Sequence, residues 1–233
     1  MGKSEAVLGS PAARLGESGV IRLIVFDLDG TLIDSSRDLA ISTNATRAHF
    51  GLPPISQDLV NSYVGNGAPV LVRRAMGPDA SEEQVAEALA FFLQYYREHS
   101  LEHTRLYSGV REAIEQLSVE GRKLAVLTNK PEKISGDILS ALGVRPLFFR
   151  VVGGNTFPEK KPNPVGLLAI AAEAQLPPDQ LLMVGDSAVD VATARNAGAQ
   201  SCGVLWGFQP ETFAAVPPDF TIAQPGELTA ILR

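Results

Sequence analysis

The chain has 233 residues, 45% of them hydrophobic and 20% charged, enough for one generous domain, or a core domain with a modest insertion. Its net charge of −6 argues against a nucleic-acid binder, because phosphate backbones are held by basic surfaces, and no apolar stretch approaches the length of a bilayer crossing. The single cysteine, Cys202, excludes an intramolecular disulfide framework and a multi-cysteine metal site, so the chain is expected to be a soluble protein of the reducing cytoplasm.

Met1 to Gly19 lacks the sustained apolar stretch of a signal peptide and reads as a frayed tail over residues 1–19. Ile21 to Phe26 (IRLIVF) then forms an almost continuous apolar run, the pattern of a strand buried on both faces of a parallel sheet. From about Arg37 to Arg105 the pattern is helical. One helix begins near Ser36 and ends at Gly51-Leu52-Pro53-Pro54, and Ser81-Glu82-Glu83-Gln84 fits a capping box for another. His49, His99 and His103 all precede the chain's midpoint without zinc-ligand spacing and read as ordinary polar or half-buried histidines. Further strands are expected at Lys123 to Leu127, Phe148 to Val152, Leu181 to Val184 and Ser201 to Leu205, the last of which buries Cys202. Helices between them close at Gly121, Gly143 and Gly198. Strand alternating with helix predicts a doubly wound, Rossmann-like α/β core over residues 20–36 and 106–233, with a small all-helical cap domain at 37–105 inserted after the first strand.

Four polar groups follow or lie between these strands. Asp27-Leu28-Asp29-Gly30-Thr31 comes directly after the first strand, where two carboxylates at i and i+2 can both face the crevice in which α/β sheets bind ligands. Alone it could be a simple Asp-Gly turn. Thr128-Asn129 follows the second core strand, Lys160-Lys161-Pro162-Asn163-Pro164 lies further on, and Gly185-Asp186-Ser187-Ala188-Val189-Asp190 follows the strand at Leu181. Each has a plain alternative, a helix cap for Thr128 and Asp186 and a solvated side chain for Lys161. In this order they resemble the four motifs of the haloacid dehalogenase (HAD) superfamily, and the match runs from about Ile21 to Leu205.

That resemblance implies a phosphatase. Asp27 would be the nucleophile, forming an aspartyl-phosphate, and Asp29 the acid and base that protonates the departing alkoxide and then activates water. Asp29 is absent from the superfamily's dehalogenases, whose halide leaves without a proton. The resemblance also assigns Mg2+ as cofactor, held by the Asp27 carboxylate, the Asp29 carbonyl and the Asp186 carboxylate, with Asp190 holding its waters or binding directly. Lys161 would supply a fixed positive charge, and Thr128 and Asn129 would bind phosphate oxygens.

Within the predicted cap, Tyr63-Val64-Gly65-Asn66-Gly67-Ala68 precedes a helix carrying Arg73 and Arg74. This reads either as a turn before solvated arginines or as a loop in which Gly67 approaches a ligand and Arg73 clamps a small carboxylate. The segment is similar to the cap loop of phosphoglycolate phosphatases, and Trp206-Gly207-Phe208 resembles another loop of that group. The implied partner is a small phosphorylated metabolite, with 2-phosphoglycolate first among the candidates, and the implied assembly a monomer or homodimer. A β-phosphoglucomutase-type phosphomutase, a pyrophosphatase, a nucleotidase or a non-catalytic sensor of phosphorylated ligands are the other readings. A Schiff-base phosphonate hydrolase is disfavoured because no lysine lies between Arg37 and Arg105.

Overall fold

The computed structural model describes residues 20–232, so the tail expected at Met1–Gly19 lies outside the described residues. The chain runs β1 (Leu23–Phe26), β2 (Ile33–Asp34), α1 (Ser36–His49), α2 (Gln57–Asn61), α3 (Ala68–Met76), α4 (Glu82–His99) and β3 (Arg105–Leu106). It continues through α5 (Val110–Val119), β4 (Lys123–Leu127), α6 (Glu132–Ala141), β5 (Arg150–Val152), α7 (Val165–Ala174), β6 (Leu181–Gly185), α8 (Ala188–Ala197), β7 (Gln200–Val204), β8 (Phe220–Ile222) and α9 (Glu227–Ile231).

Six strands form one sheet in the order β5-β4-β1-β6-β7-β8, and every neighbouring pair is parallel. The apolar run of β1 explains its central place. Leu23 and Val25 point into one buried cluster with Ala125, Met183 and Ile170, while Ile24 and Phe26 point into the other with Val126, Val184 and Ile138. Successive side chains of a strand alternate between faces, so only a strand covered on both sides is apolar at every position. From β1 the chain winds out through β4 and β5, then returns to β6 on the other side of β1 and winds out through β7 and β8. This is the topological switch point at which α/β folds open a crevice beyond the strand ends.

The expected doubly wound α/β core is therefore present, with small differences at its ends. Lys123–Leu127 is a strand as predicted, whereas the run at Ile21 pairs only from Leu23, and Phe148 closes a 3-10 turn so that β5 starts at Arg150. Cys202 is buried on β7. Two features were not foreseen. The edge strand β8 is three residues long between prolines, and β2 and β3 form a two-stranded antiparallel ribbon with Ile33 opposite Leu106 and Asp34 opposite Arg105. The ribbon sets side by side the two passages of chain that lead into and out of the four helices α1–α4. Asp38 reinforces it, its buried carboxylate accepting from the backbone N–H groups of His103 and Thr104 at 2.8–3.0 Å.

The helical insert has its own sequence logic. Ser81 caps α4 by accepting from Gln84 N–H at 3.2 Å, and the Gln84 side chain accepts from Ser81 N–H at 2.9 Å. Val85, Ala88, Phe92 and Tyr96 then recur on one face and are buried against α1, α3 and the core. No helix among the described residues is long and apolar enough to cross a membrane.

Candidate active site

Three adjacent strands deliver three polar side chains to one sheet edge. Asp27 directly follows β1, Thr128 follows β4 and Asp186 follows β6, and all three are buried. Lys161 reaches them from the loop before α7, its Nζ lying 2.9 Å from Asp27 Oδ1 and 2.6 Å from Asp190 Oδ1. Asp190 sits in the first turn of α8, where its other oxygen accepts from Ser187 Oγ at 2.8 Å and Ser187 N–H at 3.2 Å. Asp186 Oδ2 accepts from Phe208 N–H at 2.7 Å, which gives the Trp206-Gly207-Phe208 loop a definite task. The loop is anchored by Trp206 Nε1–H, which donates to the Thr31 carbonyl at 3.1 Å. Gly30 explains why no larger residue follows Asp29: its φ is +79°, and a Cβ there would fall 2.1 Å from Asp186 Oδ2.

The electrostatics of this cluster are out of balance. Oxygens of Asp27, Asp186 and Asp190 lie within 4.8 Å of one another, and Lys161 is the only cation paired with them among the described residues. Burial, together with the Asp190 charge and against the pull of Lys161, raises the Asp27 pKa from 3.8 to about 6. Asp186 is raised well above its ordinary value by burial and by the Asp190 and Asp27 charges. For Lys161, burial acts to lower the pKa, but Asp190 and Asp27 outweigh it and hold the ammonium above the usual lysine value. Three carboxylates against one ammonium leave a deficit that a divalent cation would fill, and an all-oxygen donor set suits such a hard ion. The residues fit a metal.

Asp29, two residues from Asp27, stands in different surroundings. Ser35 Oγ donates to its Oδ1 at 2.5 Å, and Lys130 Nζ donates to both of its oxygens at 2.9 and 3.0 Å. Lys130 also donates to the Tyr96 hydroxyl at 2.7 Å, with Nζ 4.4 Å from the ring centroid. Lys130 and Tyr96 are not among the site residues expected from the sequence. Lys130 directly follows Thr128-Asn129, which is the available signal, whereas Tyr96 recurs with Val85, Ala88 and Phe92 on the buried face of α4 and carries no local mark of its own.

A cleft of about 530 Å3 opens between the insert and the sheet edge, lined by Asp27, Asp29, Thr128, Asn129 and Lys130 on one side and by Gly65, Gly67, Leu71, Phe92 and Tyr96 on the other. The Asn129 side chain ties the two sides together, donating to the Gly65 carbonyl at 2.7 Å and the Lys161 carbonyl at 3.1 Å while accepting from Lys161 N–H at 3.0 Å. Its side-chain amide is thus committed to the protein, unlike the free phosphate ligand the sequence suggested. Gly67 does line the cleft, but its close approach is to the core: a Cβ there would lie 3.0 Å from the Asn129 carbonyl. Gln209, also not foreseen, holds the same loop by donating to the Asn61 and Val64 carbonyls at 3.0 and 2.9 Å.

Arg73 is not brought to the cleft. Its guanidinium donates to the Ala80 carbonyl at 2.8 Å and pairs with Glu82, bracing the turn between α3 and α4. Helical geometry accounts for this direction. Leu71 faces the cleft, and two further residues at ~100° each turn Arg73 to the opposite side of α3. Among the cleft-lining residues, the cation is Lys130.

A doubly wound sheet whose switch point carries a buried carboxylate cluster short of cations, beside a second, compensated carboxylate, has the layout of an α/β enzyme that works with a bound cation. Comparison with known proteins gives the family. Residues 24–204 match the model of the haloacid dehalogenase-like hydrolases, and the chain belongs to that family, whose phosphatases typically use a divalent metal. A protein of Vibrio vulnificus strain CMCP6 named phosphoglycolate phosphatase is 42% identical over 209 residues, covering 86% of this chain and 91% of the relative. One of the same name from Vibrio cholerae is 41% identical over 221 residues, covering 91% and 97%. Among solved structures, one described as a predicted phosphoglycolate phosphatase from Haemophilus somnus 129PT superposes with a TM-score of 0.87 at 36% identity, covering 91% of this chain and 98% of that one.

Proposed function

We propose that the protein is a Mg2+-dependent phosphomonoester hydrolase of small cytoplasmic metabolites, with 2-phosphoglycolate as its substrate. The observation that carries the reading is that Asp27, Asp29 and Thr128 line one cleft at the ends of β1 and β4, while Lys161 pairs with Asp27 at 2.9 Å and an Asp186 oxygen from the end of β6 lies within 4.8 Å of it. The names of the Vibrio relatives support the choice of substrate.

Asp27 attacks phosphorus and forms an acyl phosphate as the ester P–O bond breaks, and the proton on Asp29 passes to the leaving alkoxide. Asp29, now a base, takes a proton from water, which attacks phosphorus and returns Asp27 as a carboxylate. Lys161 offsets the charge of the nucleophile and of the phosphoryl oxygens. The Thr128 hydroxyl and the backbone N–H of Asn129 hold those oxygens, at a point where Pro131 and Ile134 bring the N-terminal end of α6 to the same cleft. The carboxylates of Asp27 and Asp186 and the Asp29 carbonyl, with Asp190 beside them, would hold Mg2+, which would supply the charge that lets an anionic nucleophile approach an anionic ester. The helical insert, residues 37–105, acts as a cap that excludes bulk water and limits the size of the leaving group.

The test is phosphate release from a panel of phosphorylated metabolites with and without Mg2+. Metal-dependent release with 2-phosphoglycolate ranking first is the expected result. Release of phosphate from none of the panel at any Mg2+ concentration would refute the enzyme assignment.

A further inference from the structure

Lys130 occupies an unusual position for a residue outside the four family motifs. It is buried, and its three ammonium hydrogens are matched by three acceptors: the two oxygens of Asp29 at 2.9 and 3.0 Å and the Tyr96 hydroxyl at 2.7 Å. Its backbone N–H donates to Thr128 Oγ1 at 3.2 Å, so one residue joins the phosphate-facing threonine to the second aspartate. Tyr96 is itself fixed, buried and stacked on the equally buried Phe92 at 5.6 Å between ring centroids. Ser35 Oγ completes the set on Asp29 Oδ1 at 2.5 Å. A carboxylate gripped from both oxygens cannot rotate freely about its terminal torsion, so the side of Asp29 presented to the cleft is set by Lys130, and the place of Lys130 is set by a tyrosine of the insert.

We propose that Lys130 and Tyr96 are positioning residues for the acid–base work of Asp29, aiming its carboxyl at the leaving oxygen. The inference rests on the phosphatase reading given above. A purely structural alternative exists, in which Lys130 only neutralises a buried carboxylate so that the chain can fold. The two differ in the dependence on the leaving group. An alkoxide must take the Asp29 proton as its P–O bond breaks, whereas 4-nitrophenolate is stable enough to depart without it. Disturbed aim therefore harms alkyl esters selectively, while general loss of structure harms both.

The experiment measures kcat/KM, which reports the steps through phosphoryl transfer to Asp27, for 2-phosphoglycolate and for 4-nitrophenyl phosphate. Removing the Tyr96 hydroxyl with Tyr96→Phe is expected to cost about 10-fold on the alkyl ester and no more than about 2-fold on the aryl ester. Lys130→Met is expected to cost about 100-fold on the alkyl ester, and to cost nothing further when Asp29 is already Asn, because a residue acting through another loses its effect when that partner is gone. If Lys130→Met does not fold, the smaller change Tyr96→Phe still decides. Equal losses on both esters, or a full additional loss from Lys130→Met in the Asp29→Asn background, overturn the inference and leave the phosphatase reading intact. Absence of phosphate release from either ester by the unmodified protein overturns the reading, and the inference with it.

Discussion

Asp27 and Asp29 are neighbours in sequence and opposites in environment. Asp27 lies in a cluster with more negative than positive charge, next to Asp186 and Asp190, and its pKa is lifted from 3.8 to about 6, chiefly by burial. Asp29 lies in a cluster that balances itself, receiving Lys130 and Ser35 while Lys130 also bonds Tyr96. Burial acts to lower the Lys130 pKa, but Asp29 and Tyr96 outweigh it and hold the ammonium above the ordinary lysine value. The same residue type is thus left short of cations at one position and fully compensated two residues later. The first environment suits a group that works with a bound metal, and the second holds a carboxyl group in a fixed orientation.

Substitutions at the two positions test that contrast most severely. Asp27→Asn removes the nucleophile and is expected to lower kcat by about 10⁴-fold or more, as nucleophile deletions do when no other group replaces them. Asp29→Asn is expected to lower turnover of 2-phosphoglycolate by about 10²- to 10⁴-fold while leaving phosphate binding in place, which isothermal titration with inorganic phosphate measures. Unimpaired hydrolysis by Asp29→Asn would remove it from the acid–base role.

Metal removal separates the clusters in another way. Chelation is expected to abolish phosphate release, and added Mg2+ to restore it, with the circular dichroism of the chelated protein unchanged. The apolar clusters on the two sheet faces do not include the carboxylate site. Loss of secondary structure on chelation would mean that the cation is structural.

A third prediction follows from proton linkage. Between pH 3.8 and about 6 the folded, metal-free chain holds more proton at Asp27 than the unfolded chain does. Its contribution to stability is therefore present at low pH and is lost as pH rises through about 6. That interval corresponds to about 3 kcal/mol at ~1.4 kcal/mol per pH unit, and Asp186, raised by the same causes, acts in the same direction. Asp27→Asn, which cannot ionise, is expected to stabilise the metal-free protein at pH 7.5 by up to about 3 kcal/mol and by about half as much at pH 5. Urea midpoints at the two pH values measure it, and a gain that does not depend on pH would contradict the charge deficit.

The smallest effect belongs to Arg73, which the structure turns away from the cleft. Arg73→Ala is expected to change kcat/KM by less than about 2-fold and stability by about 0–1 kcal/mol, since its partner Glu82 is 91% exposed and such pairs contribute little. A large rise in KM would return Arg73 to the substrate site.

What the sequence made legible was whatever the chain states locally. Asp27, Thr128 and Asp186 each follow an apolar run, so strand ends could be read and the common sheet edge inferred from the parallel topology. The capping box at Ser81 was explicit for the same reason. The features that escaped depend on contacts across the fold. Tyr96 and Lys130 are 34 residues apart, and Lys130 and Asp29 are 101 apart, with nothing in either neighbourhood to mark the pairing. The ribbon β2–β3 has two residues per strand and β8 has three, too few for a periodicity to show. Arg73 had two readings in the sequence, and its position ~200° around α3 from Leu71 separates them.

The most direct test of the account is to trap the phosphorylated protein. Brief mixing of excess enzyme with 2-phosphoglycolate and Mg2+, acid quench and peptide mass mapping should find one added phosphoryl group, removable by hydroxylamine, on the peptide containing Asp27 and none in Asp27→Asn. Turnover without such a label, or a label on a residue other than Asp27, would contradict it.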